Sequence, residues 1–97
     1  MIHGRRDANH AAIRDALRAV GVTVLDLGDA GRNVPDLLCG RHGINYLLEV
    51  KSPKGKEQPG QLVARTAWRG QWVVVRTVAE ALAAVGMPSA MSWTPHA

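Results

Sequence analysis

The sequence predicts a single α/β domain in which a mixed central sheet is flanked by helices, in the order α-β-β-β-α-β-α. Residues 34–51 place two apolar runs on either side of a glycine-containing turn, which is typical of a β-hairpin. Residues 72–75 form a further apolar run after a helical segment, so this last strand joins the hairpin through a helical crossover. Because the chain has 97 residues, we expect one domain over 1–88 and a low-order tail over 89–97.

The first helix is predicted over residues 7–20, and the first strand over the β-rich residues 22–27. The apolar positions that share one face of this helix are Ile13, Ala16, Leu17 and Val20. Gly21 is a suitable C-terminal stop, and either Asp7 or Asn9 can cap the N-terminus. The helix is therefore amphipathic, and we expect it to lie against the sheet.

The hairpin is predicted to open at residues 34–36, to turn over the four residues 40–43 and to return over residues 44–51. Glycines at both ends of the turn and polar residues between them favour a reversal at this point. Cys39 is the single cysteine of the chain and lies in the first strand of the hairpin. We interpret it as a small core residue, which is consistent with a reducing compartment.

Two carboxylates converge at the open end of this hairpin. Strand side chains alternate, so Glu49 and Lys51 emerge on one face of the sheet, and the hairpin brings Asp36 back beside them. Mg²⁺ prefers oxygen ligands and commonly uses one or two carboxylates. We expect Asp36, Glu49 and the carbonyl of Val50 to hold Mg²⁺ or Mn²⁺. Lys51 would orient the attacking water or offset charge on a phosphate, which predicts phosphodiester hydrolysis.

The second half of the chain continues with a loop, a helix, the last strand and a final helix. Residues 52–60 contain two prolines and two glycines and predict the loop. A helix is predicted over residues 59–69, because proline is tolerated at the first helical position and Gly70 follows. The sequence T-x-x-E at residues 77–80 is a capping box that begins the final helix, which ends at Gly86.

The basic residues are unevenly distributed along the chain. Residues 51–76 carry six Lys or Arg against one Glu, whereas residues 1–50 balance six Arg against six Asp or Glu. The basic excess therefore follows directly after the carboxylates, where a phosphate backbone would approach them. The candidate DNA contacts are Lys54, Lys56, Arg32 and Arg65. The other interpretation is an ordinary solvated basic face.

Several classes of protein are not supported by the sequence. The N-terminus is charged and lacks the apolar segment of a signal peptide, and no apolar run approaches the roughly 18 residues of a membrane span. We therefore expect a cytoplasmic protein of a bacterium or of a phage-infected host. Nucleotide-binding glycine motifs, zinc-ligand spacings and a nucleophile elbow are absent from the sequence, so we expect no nucleotide cofactor.

The Pro35-Asp36 pair, followed after twelve residues by Glu49-Val50-Lys51, resembles the core motif of the PD-(D/E)XK nuclease superfamily. Within it the chain is similar, over residues 7–86, to the small stand-alone phage and bacterial nucleases of the VRR-NUC type. Further matching segments are Asp7-Ala8-Asn9, Gln61, Trp68-Arg69-Gly70 and Val73-Val74-Val75-Arg76. The departures are a Val-Arg-Arg signature reduced to Val75-Arg76, and His10 near the place where an acidic residue of the first helix often stands.

This resemblance implies a restriction-endonuclease-like core and a Mg²⁺- or Mn²⁺-dependent DNA endonuclease. It implies that Gln61 joins Asp36, Glu49 and Lys51 in the active site through a phosphate or water contact. It further implies a homodimer with Holliday-junction-resolvase-like organisation, which would act on duplex or branched DNA. The candidate accessory residues at the start of the first helix are Asp7, Asn9 and His10.

Two other functions remain open on the sequence alone. A basic DNA-binding accessory protein could keep the nuclease-like fold without turnover, and it would show salt-dependent DNA affinity and no effect of metal. A structural or interaction protein could carry the basic segment incidentally, and it would not bind DNA at low salt. The acidic residues favour the nuclease, because a binding module gains nothing from two carboxylates that face phosphate.

Overall fold

The computed structural model of the protein describes residues 8–87, which form three helices and four strands in the predicted order. The elements are α1 (His10–Ala19), β1 (Thr23–Asp26), β2 (Leu37–Arg41), β3 (Ile44–Val50), α2 (Pro59–Ala67), β4 (Val73–Val75) and α3 (Val78–Ala84). The predictions for Asp7, for the end of the domain at residue 88 and for a tail over 89–97 lie outside the described residues.

The four strands form one mixed sheet in the order β1-β2-β3-β4. Strands β1, β2 and β3 pair antiparallel, and β4 pairs parallel to β3. Helix α2 lies between β3 and β4 in the chain and supplies the crossover that a parallel pair requires. The predicted α/β class and mixed sheet are therefore confirmed.

The predicted four-residue turn of the hairpin is wrong. Arg41 pairs with Ile44, which leaves a two-residue turn of His42 and Gly43. Their φ values are +52° and +78°, and two positive φ values in succession are what a type I′ turn requires. Gly40 belongs to strand β2, where it pairs with Asn45. Strand β2, the first strand of the hairpin, begins at Leu37 rather than at residue 34.

The predicted helix boundaries also require correction. Helix α1 covers residues 10–19 rather than 7–20. Helix α2 ends at Ala67 rather than at residue 69, because the backbone of Trp68 is already extended, with ψ of 129°. At the start of α3 the Thr77 side chain accepts a hydrogen bond from the Glu80 N–H, as predicted. The Glu80 carboxylate, however, accepts from the N–H of Arg76 (2.6 Å) rather than from that of Thr77.

The hydrophobic core lies on one face of the sheet, between the sheet and the helices α1 and α3. Its largest fully buried apolar side chains are Ile13, Leu17, Leu37, Leu48, Val75 and Val85. Cys39 belongs to this core, and burial raises the pKa of its thiol to about 11, so the thiol stays protonated and unreactive at neutral pH. The interpretation of Cys39 as a core residue is confirmed.

Helix α2 lies over the opposite face of the sheet and packs there loosely. None of its residues is buried, and Leu62 and Val63 are exposed. The next residue after the helix, Trp68, lines a shallow cleft with Leu38 and Leu47 of the sheet. Among the described residues, every helix is too short and too polar to serve as a membrane span.

Candidate active site

Asp36 and Glu49 lie opposite each other on neighbouring strands of the hairpin. Leu37 pairs with Leu48, so the same register continued by one residue places Asp36 opposite Glu49. The Val50 N–H donates to Asp36 Oδ2 (2.8 Å), and the Asp36 N–H donates to the Leu48 carbonyl (3.0 Å). The Asp36 carboxylate is therefore fixed against the strand that carries Glu49.

Glu49 is completely buried, with 0% of its surface exposed. The indole Nε1–H of Trp72 donates to Glu49 Oε1 (3.2 Å), whereas Glu49 Oε2 is buried without a hydrogen-bond partner. A buried carboxylate oxygen without a partner is costly, because it has lost its water and gained nothing in exchange. It also has the chemistry of a ligand for a hard cation.

A third carboxylate, that of Glu57, lies within hydrogen-bonding reach of Glu49. Arg65 holds Glu57 by two parallel hydrogen bonds, from Nε to Oε2 (2.8 Å) and from NH2 to Oε1 (3.0 Å). These bonds lower the pKa of Glu57. Burial is the main cause that raises the pKa of Glu49 to about 7, and the hydrogen bond and charge of Glu57 add to it.

Lys51 follows directly after β3, and its backbone is held at both ends. Its N–H donates to the Val75 carbonyl (3.0 Å), and its carbonyl accepts from Asn9 Nδ2 (3.0 Å). The same Asn9 nitrogen donates to the Arg76 carbonyl (2.7 Å). Asn9 stands at the N-cap position of α1 but makes no side-chain capping bond. It ties the ends of β3 and β4 together and so positions Lys51.

Gln61 lies in the first turn of α2, where its Oε1 accepts a hydrogen bond from the Gln58 N–H (3.2 Å). This bond forms part of a capping box at the start of the helix. The half-buried Gln61 also lines a cleft of about 520 Å³ together with Asp36, Arg32 and Asn33. Gln61 thus has a structural role and stands beside the candidate site.

His10 lies on the other side of the sheet. It is buried in the first turn of α1, and its Nε2 lies 3.1 Å from Asp26 Oδ2. Asp26 pairs with Leu37 and shares the core face, whereas the neighbouring Asp36 points to the face that carries Glu49. The structure therefore does not bring His10 to the other candidate site residues.

The candidate DNA contacts differ in their surroundings. Lys54, Lys56 and Arg32 are exposed, so their charges are accessible to a phosphate backbone. Arg65 is half-buried and engaged with Glu57. Arg76, also part of the basic segment, donates to the carbonyls of Ser52 (2.7 Å) and Gly55 (2.6 Å). Arg76 therefore holds the first half of the loop after β3 in place.

The oxygen atoms present fit a divalent cation in their chemistry. Two carboxylates, from Asp36 and Glu49, face each other across the hairpin, and one Glu49 oxygen has no partner. Across residues 8–87, however, no three His, Cys, Asp or Glu side chains stand close enough together to form a ready-made metal site. A cation at this place would therefore depend on two side chains, the Val50 carbonyl and water.

Two further residues, Glu57 and Trp72, contact Glu49 although the sequence pattern does not predict them. In the sequence, Glu57 is the one acid of a basic segment, and Trp72 begins an apolar run. Both reach Glu49 from segments outside the hairpin, and no spacing rule connects them to it. A buried Trp usually needs a partner for its N–H, which is the one available signal that it could contact a polar group.

We compared the chain with protein-family models, curated proteins and solved structures, and no significant match was found in any of the three.

Proposed function

We propose that this protein is a divalent-metal-dependent DNA endonuclease with a restriction-endonuclease-like core. The observation that carries the proposal is the position of Asp36 directly opposite Glu49, with Lys51 next on the same face of the sheet. The adjacent cleft is lined by Asp36, Gln61 and Arg32, so a phosphate lying in it would meet both signs of charge. The two carboxylates, the Lys51 ammonium and the Val50 carbonyl thus belong to the same open end of the hairpin.

Asp36, Glu49 and the Val50 carbonyl would hold the cation. When bound, a divalent cation neutralises phosphate charge and makes water a better nucleophile. The hydrogen bond from the Val50 N–H keeps the Asp36 carboxylate in place before any ligand arrives. The Lys51 ammonium offsets the negative charge that develops on the phosphate during hydrolysis. Asn9 holds the backbone carbonyl of Lys51 and so helps to position this residue.

The experiment that tests this proposal is metal-dependent cleavage of labelled DNA. Linear duplex, single strand, a fork and a four-way junction are incubated with the purified full chain in Mg²⁺, in Mn²⁺ or in EDTA. We expect phosphodiester cleavage of at least one substrate in both metals and none in EDTA. Cleavage that persists in EDTA, or intact DNA in every lane, contradicts the proposal.

The DNA-binding accessory protein is the second candidate, and two observations favour it. Within residues 8–87 there is no ready-made group of three metal-ligating side chains, and Glu49 is already engaged by Trp72. This function predicts that the DNA in the same assay stays intact but is retarded in a gel. The retardation would weaken steeply with salt and would not respond to metal.

We further propose that the protein is a homodimer joined through the face of its sheet that lies opposite the hydrophobic core. Leu25, Leu38 and Leu47 form one cross-strand row on this face, and Leu25 is 62% exposed. Trp68, which is 52% exposed, extends the row. At the end of the row near Trp68 the polar neighbours, Asn45 and Gln71, are uncharged, whereas Arg18 lies beside Leu25 at the other end.

Leu25→Glu is expected to convert this dimer to a monomer, because it places a charge within the apolar row. The measurement is molar mass by light scattering during size-exclusion chromatography. The matched control is Ile44→Glu, since Ile44 is similarly exposed, at 53%, but belongs to the opposite side of the sheet. A monomeric wild-type protein, or equal disruption by both substitutions, would argue against this interface.

A further inference from the structure

Glu57 and Arg65 form a charged pair that the proposed mechanism does not use. The pair is bidentate, and the Glu57 side chain is only 12% exposed. An ordinary surface ion pair lies in water and contributes little to stability. Glu57 instead lies within hydrogen-bonding reach of the buried Glu49, and the charge of Lys51 acts on both carboxylates.

The contact between Glu57 and Glu49 is unusual in its chemistry. Carboxylate oxygens only accept hydrogen bonds, so two ionised carboxylates need a proton or a cation between them. Glu49 Oε2 has no hydrogen-bond partner, and Trp72 satisfies only Oε1. Two of the N–H donors of Arg65 bind Glu57 and fix the direction in which that carboxylate points. The charge of Lys51 acts on both carboxylates, but Glu49 Oε2 still lacks a direct partner and is the oxygen that a cation could contact.

We propose that Glu57, held by Arg65, is a positioning residue of the cation site that orients Glu49 and adds negative charge toward a divalent cation. This inference rests on the cation site of the proposed function. Because Asp36, Glu49 and Glu57 do not converge as a three-carboxylate cluster, Glu57 acts on the cation through Glu49 and through water. Residues that contact a metal-binding side chain in this way commonly change metal affinity by about 10- to 100-fold when substituted.

The structure distinguishes this role from that of a simple brace. A brace for the loop after β3 is already supplied by Arg76, which binds the carbonyls of Ser52 and Gly55. A residue that only held the loop in place would not be stabilised by contact with a second, fully buried carboxyl group. If Glu57 only blocked the site, its removal would tighten cation binding, so the direction of the effect separates the two roles.

The experiment is isothermal titration of Mn²⁺ into the full-length protein without DNA. We expect Glu57→Gln to weaken Mn²⁺ binding by about tenfold or more. The control is Asp15→Asn, which makes the same change of charge at an exposed site of α1, and it should stay within about twofold. Circular dichroism melting shows that each variant is folded.

Arg65→Lys keeps the positive charge but loses the fork that grips both Glu57 oxygens, so it should also weaken Mn²⁺ binding. In the double variant Glu57→Gln/Arg65→Lys no further loss is expected, because Arg65 acts through Glu57. Unchanged or tighter binding by Glu57→Gln overturns the inference, and so does a wild-type protein that does not bind Mn²⁺. Glu57-dependent Mn²⁺ binding without cleavage of any DNA would leave this inference standing and remove the endonuclease.

Discussion

Glu49→Gln is expected to reduce metal-dependent cleavage by about 10³-fold or more while the fold stays intact. Glutamine has the same shape as glutamate, and its carbonyl oxygen can still accept the hydrogen bond from Trp72 Nε1. Its amide group can donate to the Glu57 carboxylate, which the wild-type side chain can do only when protonated. The substitution therefore removes the ligand charge without leaving a buried group unsatisfied.

This design separates loss of chemistry from loss of structure. Glu49 is a buried carboxyl group with a pKa raised to about 7, so replacing it with a neutral amide should leave the melting temperature unchanged or higher at neutral pH and above. Asp36→Asn follows the same logic, since its side-chain oxygen can still accept from the Val50 N–H. Alanine at either position would add a structural defect to the chemical one.

The measurement is the single-turnover rate on the DNA that the wild-type protein cleaves best, with saturating Mn²⁺. Asp15→Asn again serves as the control for a lost carboxylate, and it should cleave at the wild-type rate. A folded Glu49→Gln protein that retains most of its activity would refute the assignment of Glu49 as a metal ligand. It would also remove the main support for the nuclease function.

The position of Asp36 opposite Glu49 could be predicted only in part. Alternation along the strands correctly places both side chains on one face. The four-residue turn that the glycines suggested would have paired Glu49 with Val34, two positions away from Asp36. The two-residue turn of His42 and Gly43 supplies the correct register. Histidine at positive φ is uncommon, so sequence rules for such turns, which look for Asn-Gly or Asp-Gly, did not indicate it.

The contacts that surround the site could not be predicted, because they depend on how separate segments meet. The element order and the core face followed from local periodicity, which the sequence contains. Glu57 lies within hydrogen-bonding reach of Glu49, and Arg65, eight residues later, holds the Glu57 carboxylate. His10 is drawn to Asp26 on the core face, although its place in the sequence suggested the site. Such pairings depend on the path of loops, which no spacing within a single element encodes.

Leu17→Ala is expected to lower the free energy of unfolding by about 2–5 kcal/mol. Leu17 is fully buried in α1 within the core shared by α1, α3 and the sheet, so its truncation leaves a cavity. A domain of this size has a total stability near the lower end of about 5–15 kcal/mol, so the loss is a large share of it. The measurement is the urea midpoint followed by circular dichroism.

Leu62→Ala is the matched control, because Leu62 is also a helical leucine but is 45% exposed on α2. We expect it to change stability by no more than about 0.5 kcal/mol. Equal losses in the two variants would contradict a core built from α1 and α3 with α2 packed loosely outside it. The contrast also bears on function, because α1 begins next to Asn9, whose side chain holds the carbonyls of Lys51 and Arg76. Weakening the packing of α1 should therefore reduce cleavage at least in proportion to the unfolded fraction, whereas Glu49→Gln removes cleavage from a folded protein.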